Sequence, residues 1–265
     1  MIDLVKRYGS WALVAGASEG IGAAFSRALA AAGFDLVLIA RRQEPLAALA
    51  EELRARHGRT VETIALDLAA ADLEARLRLV AGARDVGVVV YNAALSIVAP
   101  FLDTPLADKQ RILDVNTRGP LIAAHVFGAE MAARGRGAIV LLSSLTAFWG
   151  SAWVATYGAT KAFNLALGEG LAQELADRGV DVIVTCAGAT RTPGFVTLVA
   201  GRKGPRAMSP DAVAQATLAS LPGRGAFVPG AFNRFAQFVM ARLMPRRTAV
   251  RLMARETRAL LDIGR

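Results

Sequence analysis

The sequence has few cysteines and histidines and no long apolar run, and these shortages argue against disulfides, metal sites and membrane spans. Its 265 residues include one cysteine, Cys186, so an internal disulfide is excluded and a reducing compartment such as the cytoplasm is expected. The two histidines, His57 and His125, stand without paired ligands, so both are interpreted as structural and no metal is expected. No apolar run reaches the roughly 18 residues of a membrane span, and the N-terminal stretch MIDLVKRYGS has no apolar segment of signal-peptide length.

Aromatic and acidic residues are also scarce. Only 6% of the chain is aromatic although 54% is apolar, so Ala, Leu and Val carry the apolar content, which suits helices packed closely on a sheet. The net charge is +9, and residues 231–265 contribute +6 of it through eight arginines against two acids. Because the excess is concentrated at the C-terminus, nucleic acid is not an expected partner.

Short β-branched runs alternate along the chain with alanine-rich stretches of helical periodicity. Strands that are apolar throughout and separated by helices indicate an α/β fold, a single-domain doubly wound parallel sheet with helices on both faces. Such a sheet places its ligand crevice at the carboxyl ends of the strands. We predict a Rossmann-type domain over 1–230 and, over 231–265, a C-terminal amphipathic helical extension of the same domain. The predicted strands are WALVA (11–15), LVLIA (36–40), VETIA (61–65), VGVVVY (86–91), AIVLL (138–142), VDVIV (180–184) and AFVP (226–229).

The first predicted strand runs into the glycine-rich turn AGASEGIG, which leads into a helix. Gly16 would permit the tight exit from the strand, and Gly20 would let backbone N–H groups approach a pyrophosphate. Gly22 would let the helix pack close to the sheet. The alternative is a glycine-rich turn without a ligand, but its position after the first strand favours dinucleotide binding.

The end of the second strand, VLIARRQ, bears on the choice of cofactor. An NAD site typically has an Asp or Glu here that binds the ribose 2′-hydroxyl. In this sequence Ala40 occupies that position and is followed by Arg41 and Arg42. A guanidinium suits a 2′-phosphate, so NADP(H) is predicted, although Arg42 in particular could merely be a solvated loop residue. Asp67, at the end of the third strand, would accept a hydrogen bond from an adenine amino group or cap the next element.

Tyr157 and Lys161 are four residues apart in TYGATKAFN, which places them on one face of a helix. An ammonium beside a phenol stabilises the phenolate and lowers the phenol's pKa, so the pair could supply a proton near neutral pH. The other interpretation is a chance spacing on a solvated helix.

The chain resembles the short-chain dehydrogenase/reductase family, from about residue 10 to residue 230. The resemblance rests on AGASEGIG, YNAA (91–94), Asn116 in VNTRG, Ser144 in LLSSLTA, Tyr157-Gly-Ala-Thr-Lys161 and AGATRTP (187–193), in the family's order and spacing. It implies that Ser144 holds a substrate carbonyl while Tyr157 donates a proton as hydride arrives. It also implies that Lys161 lowers the Tyr157 pKa and holds the nicotinamide ribose, and that Asn116 lies in a helix and positions a water. Together with the glycine turn and the second strand, it gives an expected set of cofactor-binding residues: Gly16, Ser18, Glu19, Gly20, Ile21, Gly22, Arg41, Arg42, Asp67, Leu68, Asn92, Ala93, Tyr157, Lys161, Gly188, Thr190 and Thr192.

The sequence departs from the family pattern at several positions. The family commonly has Thr at Ala15, Asn at Tyr91, Gly at Ala94 and Pro at Ala187, and the first two imply altered hydrogen bonding around the cofactor. Glu19 stands where many NADP-dependent relatives carry a base, which weakens the NADP prediction. Thr190 and Thr192 match a segment that contacts the cofactor in relatives, but both could instead structure the turn before Pro193.

Apolar residues are expected around the substrate, which predicts a hydrophobic ketone or secondary alcohol. The candidates are Leu95, Ile97, Phe148, Trp149, Trp153 and the lid residues Phe195, Val196, Leu198 and Val199, although each aromatic could instead pack in the core or at a subunit contact. Arg202, Lys203 and Arg206 could grip an anionic tail, but a solvated loop is favoured. Beyond the fold, Pro245 should divide the C-terminal extension into two helices. These helices could cover the active-site mouth or form a subunit interface; contact with a membrane surface is possible but not favoured.

The sequence supports an NADP(H)-dependent carbonyl reductase or alcohol dehydrogenase. A 3-oxoacyl reductase acting on a carrier-linked chain is one alternative, and a cofactor-sensing regulatory protein without turnover is another; the second is disfavoured because Tyr157 and Lys161 are both present. The family habit implies a homodimer or homotetramer formed through the helices that carry Asn116 and Tyr157. Cys186 is interpreted as a small core residue rather than a nucleophile.

Overall fold

The computed structural model describes residues 2–200 and 206–261, with side chains up to 258. Arg202 and Lys203, the first two residues of the predicted basic loop, lie outside the described residues. The strands are β1 (Trp11–Ala15), β2 (Asp35–Ala40), β3 (Val61–Ala65), β4 (Val86–Tyr91), β5 (Gly137–Ser144), β6 (Val180–Ala187) and β7 (Gly225–Phe227). The helices are α1 (Leu4–Tyr8), α2 (Gly20–Ala31), α3 (Gln43–His57), α4 (Leu73–Ala83), α5 (Leu106–Leu113), α6 (Gly119–Arg134), α7 (Ala155–Glu174), α8 (Pro193–Leu198), α9 (Pro210–Ala219), α10 (Ala231–Phe238) and α11 (Arg246–Leu261).

The seven strands form one parallel sheet in the order β3-β2-β1-β4-β5-β6-β7. The order reverses direction between β1 and β4, which is the switch point where such sheets open a crevice. The predicted doubly wound α/β fold is therefore confirmed.

Both faces of the sheet are buried at its central strands, which explains why β1 and β4 are apolar throughout, whereas β3 at the edge is partly exposed and carries Glu62 and Thr63. Successive side chains of β1 alternate between two cores, with Ala12 and Val14 on one face and Leu13 and Ala15 on the other. The first core is covered by α2, α3 and α9, and the second by α4, α6 and α7.

Three strand bounds differ in ways that affect the site. β5 continues to Ser144, so this serine ends the strand instead of following it, and β6 continues to Ala187, so Cys186 lies inside a strand. The two extensions pair with each other, Ser143 with Cys186 and Ser144 with Ala187, because the polar residues keep their ladder hydrogen bonds. β7 begins at Gly225, one residue earlier than predicted, and ends at Phe227, two residues earlier than predicted.

The C-terminal residues form two helical segments, as Pro245 predicted. α10 passes into a π-helical segment, Val239–Leu243, and α11 starts immediately after the proline. No helix within the described ranges combines the length and the apolarity needed to cross a bilayer.

Candidate active site

A cavity of about 830 Å³ opens at the carboxyl ends of the strands. It follows the sheet from the residues after β3, Asp67 and Leu68, to those after β6, Gly188 and Thr190. Of the predicted cofactor-binding residues, only Gly22 does not line it. The cavity therefore gathers residues that are scattered over the whole sequence.

The glycine turn is tied to the end of β4. The Asn92 side-chain amide donates to the Gly16 carbonyl at 2.9 Å, and a Cβ on Gly16 would lie 2.7 Å from the backbone of Ala93. Gly16 also has a φ of +83°, which a side chain would strain. A Cβ on Gly22 would lie 2.0 Å from the Gly16 carbonyl oxygen, so this glycine packs the helix on the turn itself. A glycine turn of this kind at the start of a helix leaves its backbone N–H groups uncovered by side chains. It therefore fits a nicotinamide dinucleotide, whose phosphates bind such N–H groups.

The two arginines after β2 are in different situations. Arg42 pairs with Glu19 at 2.6 Å, and both side chains are more than half exposed. Arg41 also lines the cavity, and no ion pair or hydrogen bond of its side chain is found among the described residues. Among the described residues, Arg41 thus has no carboxylate partner in an ion pair, while Glu19 neutralises Arg42.

Asp67 is already engaged at the same end of the cavity. Its Oδ2 accepts from Arg111 at 2.5 Å and its Oδ1 accepts from the Ala69 amide at 3.0 Å. These partners hold the pKa of the carboxyl below its ordinary value despite partial burial.

Tyr157 and Lys161 lie on one face of α7, as their spacing predicted, and both line the cavity with Ser144. The Lys161 ammonium lies 5.4 Å from the centroid of the Tyr157 ring and donates to the Leu142 carbonyl at 2.9 Å. Burial lowers the pKa of Lys161 to about 8. The lysine is therefore mostly charged at neutral pH and loses its charge just above it.

The expected lowering of the Tyr157 pKa is wrong for the geometry of this structure. Burial raises the pKa of the phenol, and hydrogen bonding with Ser144 offsets only part of the effect. The ammonium donates to the Leu142 carbonyl, and no hydrogen bond joins it to the phenol oxygen among the described residues. Tyr157 is thus a neutral phenol near neutral pH, which is the form that donates a proton.

Asn116 lies in a helix, as expected, but the helix is locally irregular. The residue is fully buried in a π-helical segment, Asp114–Arg118, between α5 and α6. Its side chain accepts from the Leu95 amide at 2.8 Å, donates to the Leu95 carbonyl at 2.9 Å and contacts the Thr160 hydroxyl at 3.1 Å. Asn116 does not line the cavity; it fixes the segment after β4 next to the turn of α7 that carries Lys161.

Two of the departures from the family pattern lie away from the cavity. Tyr91 is buried beneath α6, where its hydroxyl donates to the Val115 carbonyl at 2.8 Å. A Cβ on Gly119 would lie 1.9 Å from the same hydroxyl, so the tyrosine fills the space that this glycine leaves. Ala15 is buried in the sheet and, like Tyr91, does not line the cavity, so the expected change in hydrogen bonding around the cofactor stays a prediction. Ala94 and Ala187 do line it.

Thr190 and Thr192 both line the cavity, and both also shape the turn before Pro193. The Thr190 hydroxyl donates to the Gly188 carbonyl at 3.0 Å, and that of Thr192 accepts from the Phe195 amide at 3.3 Å, capping α8.

The substrate end of the cavity differs from the prediction. Leu95, Phe195 and Leu198 line it as expected, but six other candidates do not: Ile97, Phe148, Trp149, Trp153, Val196 and Val199. Phe148 and Trp149 pack against each other with ring centroids 5.5 Å apart, and Ile97 and Trp153 border a separate small pocket. Val196 is on the outer side of α8, where it is 54% exposed.

Part of the wall at the substrate end is formed by α11. From the sequence, the C-terminal helices could cover the active-site mouth, but no residues that would line it were named. Met253 and Thr257 line the cavity, and Ala249 of the same helix is fully buried. The helix is also held by Arg246, which donates to the Phe148 carbonyl at 3.1 Å. For this helix the sequence offered only the helical spacing of its apolar residues. Such spacing shows which face of a helix is apolar but not which part of the protein that face covers. The apolar side chains Phe232, Phe235 and Phe238 of α10 remain exposed.

The remaining candidates for chemistry are structural. Cys186 is fully buried in β6, where burial raises the pKa of its thiol to about 12, so it is no nucleophile near neutral pH. His57 ends α3, and His125 faces Arg78 at 3.5 Å on the surface of α6. In the part of the chain that the structure describes, no three His, Cys or acidic side chains come together as metal ligands.

Known proteins resemble the chain in both sequence and structure. A 7beta-hydroxysteroid dehydrogenase of Collinsella aerofaciens is 34% identical over 200 residues, which cover 76% of this chain and 76% of that protein. A solved structure of a 7beta-hydroxysteroid dehydrogenase superposes with a TM-score of 0.89 at 30% identity, covering 95% of this chain and 99% of that one. A short-chain dehydrogenase from Sphingobium yanoikuyae in complex with NADPH superposes with a TM-score of 0.79 at 30% identity, over 88% of this chain and 94% of that one.

The family assignment rests on the extent of the match. The family model described as short chain dehydrogenase matches residues 10–203, which include the glycine turn, Ser144, Tyr157 and Lys161. The fold, the order of these residues in the chain and their convergence on one cavity agree with that match. The chain belongs to the short-chain dehydrogenase family and is an oxidoreductase of that family.

Proposed function

We propose that the protein is an NADP(H)-dependent oxidoreductase that interconverts a hydrophobic ketone and a secondary alcohol, with Tyr157 as the proton donor and acceptor. The observation that carries the proposal is the convergence of Ser144, Tyr157 and Lys161 on the cavity that also contains Arg41. The cofactor would supply the hydride, and the protein would supply alignment and the proton.

Each side chain has a role that follows from its environment. Ser144 and Tyr157 would hold the substrate oxygen with their hydroxyl groups, and the neutral phenol of Tyr157 would give that oxygen a proton. Lys161, charged near neutral pH, would stabilise the phenolate as it forms, which requires its ammonium to be attracted away from the Leu142 carbonyl. Asn116 would position the residues that follow β4 without contacting the substrate.

The preference for NADP(H) is supported by Arg41 and opposed by Glu19. Arg41 is exposed at the ribose end of the cavity, and Ala40 leaves no carboxylate that would repel a 2′-phosphate. Glu19 neutralises Arg42, so the preference depends mainly on one guanidinium. The NADPH bound by the Sphingobium yanoikuyae relative adds support.

A bulky alicyclic substrate such as a steroid is the favoured class. The substrate end has apolar walls from Leu95, Val98, Phe195, Leu198 and Met253. The similarity to 7beta-hydroxysteroid dehydrogenases extends over most of both chains, with 95% of this chain covered in the structural comparison.

The direct test is a panel of ketones with NADPH and with NADH, followed at the nicotinamide absorbance. Steroid ketones, small apolar ketones and a 3-oxoacyl thioester should be compared. Reduction of a steroid ketone with NADPH preferred at least tenfold over NADH is expected. Turnover of the thioester alone would favour the carrier-linked reductase, and cofactor binding with no turnover of any ketone would favour a regulatory protein.

A further inference from the structure

Two hydroxyl groups that the proposed reaction does not use lie side by side on the wall of the cavity. Ser151 is in the loop between the strand that ends at Ser144 and α7, and Thr257 is in α11. Their Oγ atoms are 3.4 Å apart although 106 residues separate them in the chain. Both residues line the same cavity as Tyr157, and Ser151 is 4% exposed.

The hydrogen bonds of this pair have a defined direction. The Thr257 hydroxyl donates its single proton to the Met253 carbonyl at 2.9 Å. It can therefore only accept from Ser151, which must be the donor in the contact between them. The lone pairs of Ser151 Oγ have no donor among the residues that the structure describes. Ser151 thus donates to Thr257, Thr257 donates to the Met253 carbonyl, and Ser151 Oγ can still accept a hydrogen bond from a group in the cavity.

The contact is not required to hold α11 in place. Arg246 donates to the Phe148 carbonyl, Arg258 lies over the Trp153 ring at 5.9 Å, and Ala249 is buried in the same interface. A separation of 3.4 Å is also long for two hydroxyls, which usually approach to about 2.8 Å. The pair is therefore loose and can admit a third oxygen.

We propose that Ser151 and Thr257 form a subsite for a substrate hydroxyl group, and that this hydroxyl donates to Ser151 Oγ. The inference rests on the proposed function and deepens it, because it makes the substrate an apolar ketone that carries a hydroxyl group besides the reacting carbonyl. A carbonyl or carboxylate in the same place would have to take the Ser151 proton and break its bond with Thr257. The subsite therefore selects a donor over an acceptor.

The surroundings make the selection effective. Val154, Leu198 and Met253 also line the cavity, so a ligand that fills it displaces water from an otherwise apolar wall. A substrate without the hydroxyl would leave Ser151 Oγ without a donor, and one unmade hydrogen bond in such a site corresponds to about tenfold in affinity.

The test compares two steroid ketones that differ only in a hydroxyl group on a ring other than the one that carries the ketone. Binding is measured by calorimetry in the presence of NADP⁺, and turnover with NADPH is measured separately. The variants are Ser151→Ala and Thr257→Val, with Thr248→Val as the matched control, because Thr248 is an exposed threonine of the same helix outside the cavity. Thermal unfolding verifies that each variant is folded.

The hydroxylated ketone should bind the parent protein about tenfold more tightly than its deoxy counterpart. Ser151→Ala and Thr257→Val should each abolish most of this difference without weakening the deoxy ketone, and the double variant should lose no more than either single one. Thr248→Val should keep the difference.

Three results would overturn the proposal: equal binding of the two ketones by the parent, failure of both to bind, or equal losses for both ketones in the variants, which indicates a structural role. The subsite and the function fail separately. Selective binding without turnover contradicts the proposed reaction alone, whereas turnover without selectivity contradicts the subsite alone.

Discussion

The Lys161 ammonium lies 5.4 Å from the centroid of the Tyr157 ring, yet its hydrogen bond goes to the Leu142 carbonyl. The two side chains share a face of α7, but burial acts on them in opposite senses. It raises the pKa of the phenol and lowers that of the ammonium, so both groups are held closer to their neutral forms. The pair is therefore suited to give a proton and then to be stabilised as an ion pair.

Replacing Tyr157 with phenylalanine should abolish reduction while leaving cofactor binding intact. The change removes only the hydroxyl that would protonate the substrate oxygen, so a loss of at least about 10³-fold in kcat is expected. Tyr8→Phe is the matched control, because it removes a buried hydroxyl that bonds to Asp181 and does not line the cavity. Steady-state kinetics and NADPH titration measure the two effects. Parent-level turnover in Tyr157→Phe would contradict the assignment.

The pH dependence of reduction should follow Lys161. Its pKa of about 8 means that the ammonium is charged below pH 8 and neutral above it, whereas Tyr157 remains a protonated phenol throughout this range. Reductive kcat should therefore be constant between about pH 6 and 7 and fall as pH rises through about 8. Pre-steady-state measurement of hydride transfer separates this titration from product release. A rate that does not change between pH 7 and 9 would refute the expectation.

The burial of the Lys161 ammonium should lower the free energy of unfolding at neutral pH. Because the folded-state pKa of Lys161 lies below the unfolded one, the unfolded chain binds more protons, and stability rises as pH increases from about 8 to about 10. Lys161→Met removes the charge but also one hydrogen bond, so a net gain of about 2 kcal/mol at pH 7 is expected, shrinking towards pH 10. Urea unfolding at both pH values measures it. A variant less stable than the parent at pH 7 would show that the ammonium is better solvated than its burial indicates.

Arg41 should determine most of the preference for NADPH. Arg41→Ala removes a guanidinium that has no ion pair within the described ranges, and it should raise the KM for NADPH about tenfold without changing that for NADH. Glu19→Gln releases Arg42 from its ion pair and should lower the KM for NADPH several-fold. NADH serves as the internal control in both experiments. Equal effects on the two cofactors would place Arg41 away from the 2′-position.

Gly119 and Tyr91 should be energetically coupled. Gly119→Ala places a methyl group where the Tyr91 hydroxyl lies, at 1.9 Å, and should destabilise the fold by about 3 kcal/mol. Tyr91→Phe removes that hydroxyl and should recover part of the loss, but not all of it, because Cζ of the ring would still be 2.8 Å away. A double-mutant cycle by urea denaturation measures the coupling. Additive effects would mean that the backbone moves to relieve the contact.

Periodicity and glycine spacing were enough to predict the parallel sheet, most of its strands and the glycine turn. The bounds of β1, β3 and β4 were predicted as observed, and the apolar runs of β1 and β4 indicated strands that are buried on both faces of a sheet. The spacing of Tyr157 and Lys161 likewise fixed their common helix face, since helical periodicity is local. The division of the chain at residue 230 stays a prediction.

The surroundings of those residues depend on how the helices and loops pack around the sheet. The direction of the Lys161 hydrogen bond, the pairing of Arg42 with Glu19 and the burial of Tyr91 against Gly119 join segments that are distant in the chain. The placement of Met253 and Thr257 in the cavity depends on how α11 docks, which its amphipathic pattern leaves open. Periodicity reports which face of an element is buried, but a side chain's pKa and its partners depend on the elements that pack against that face.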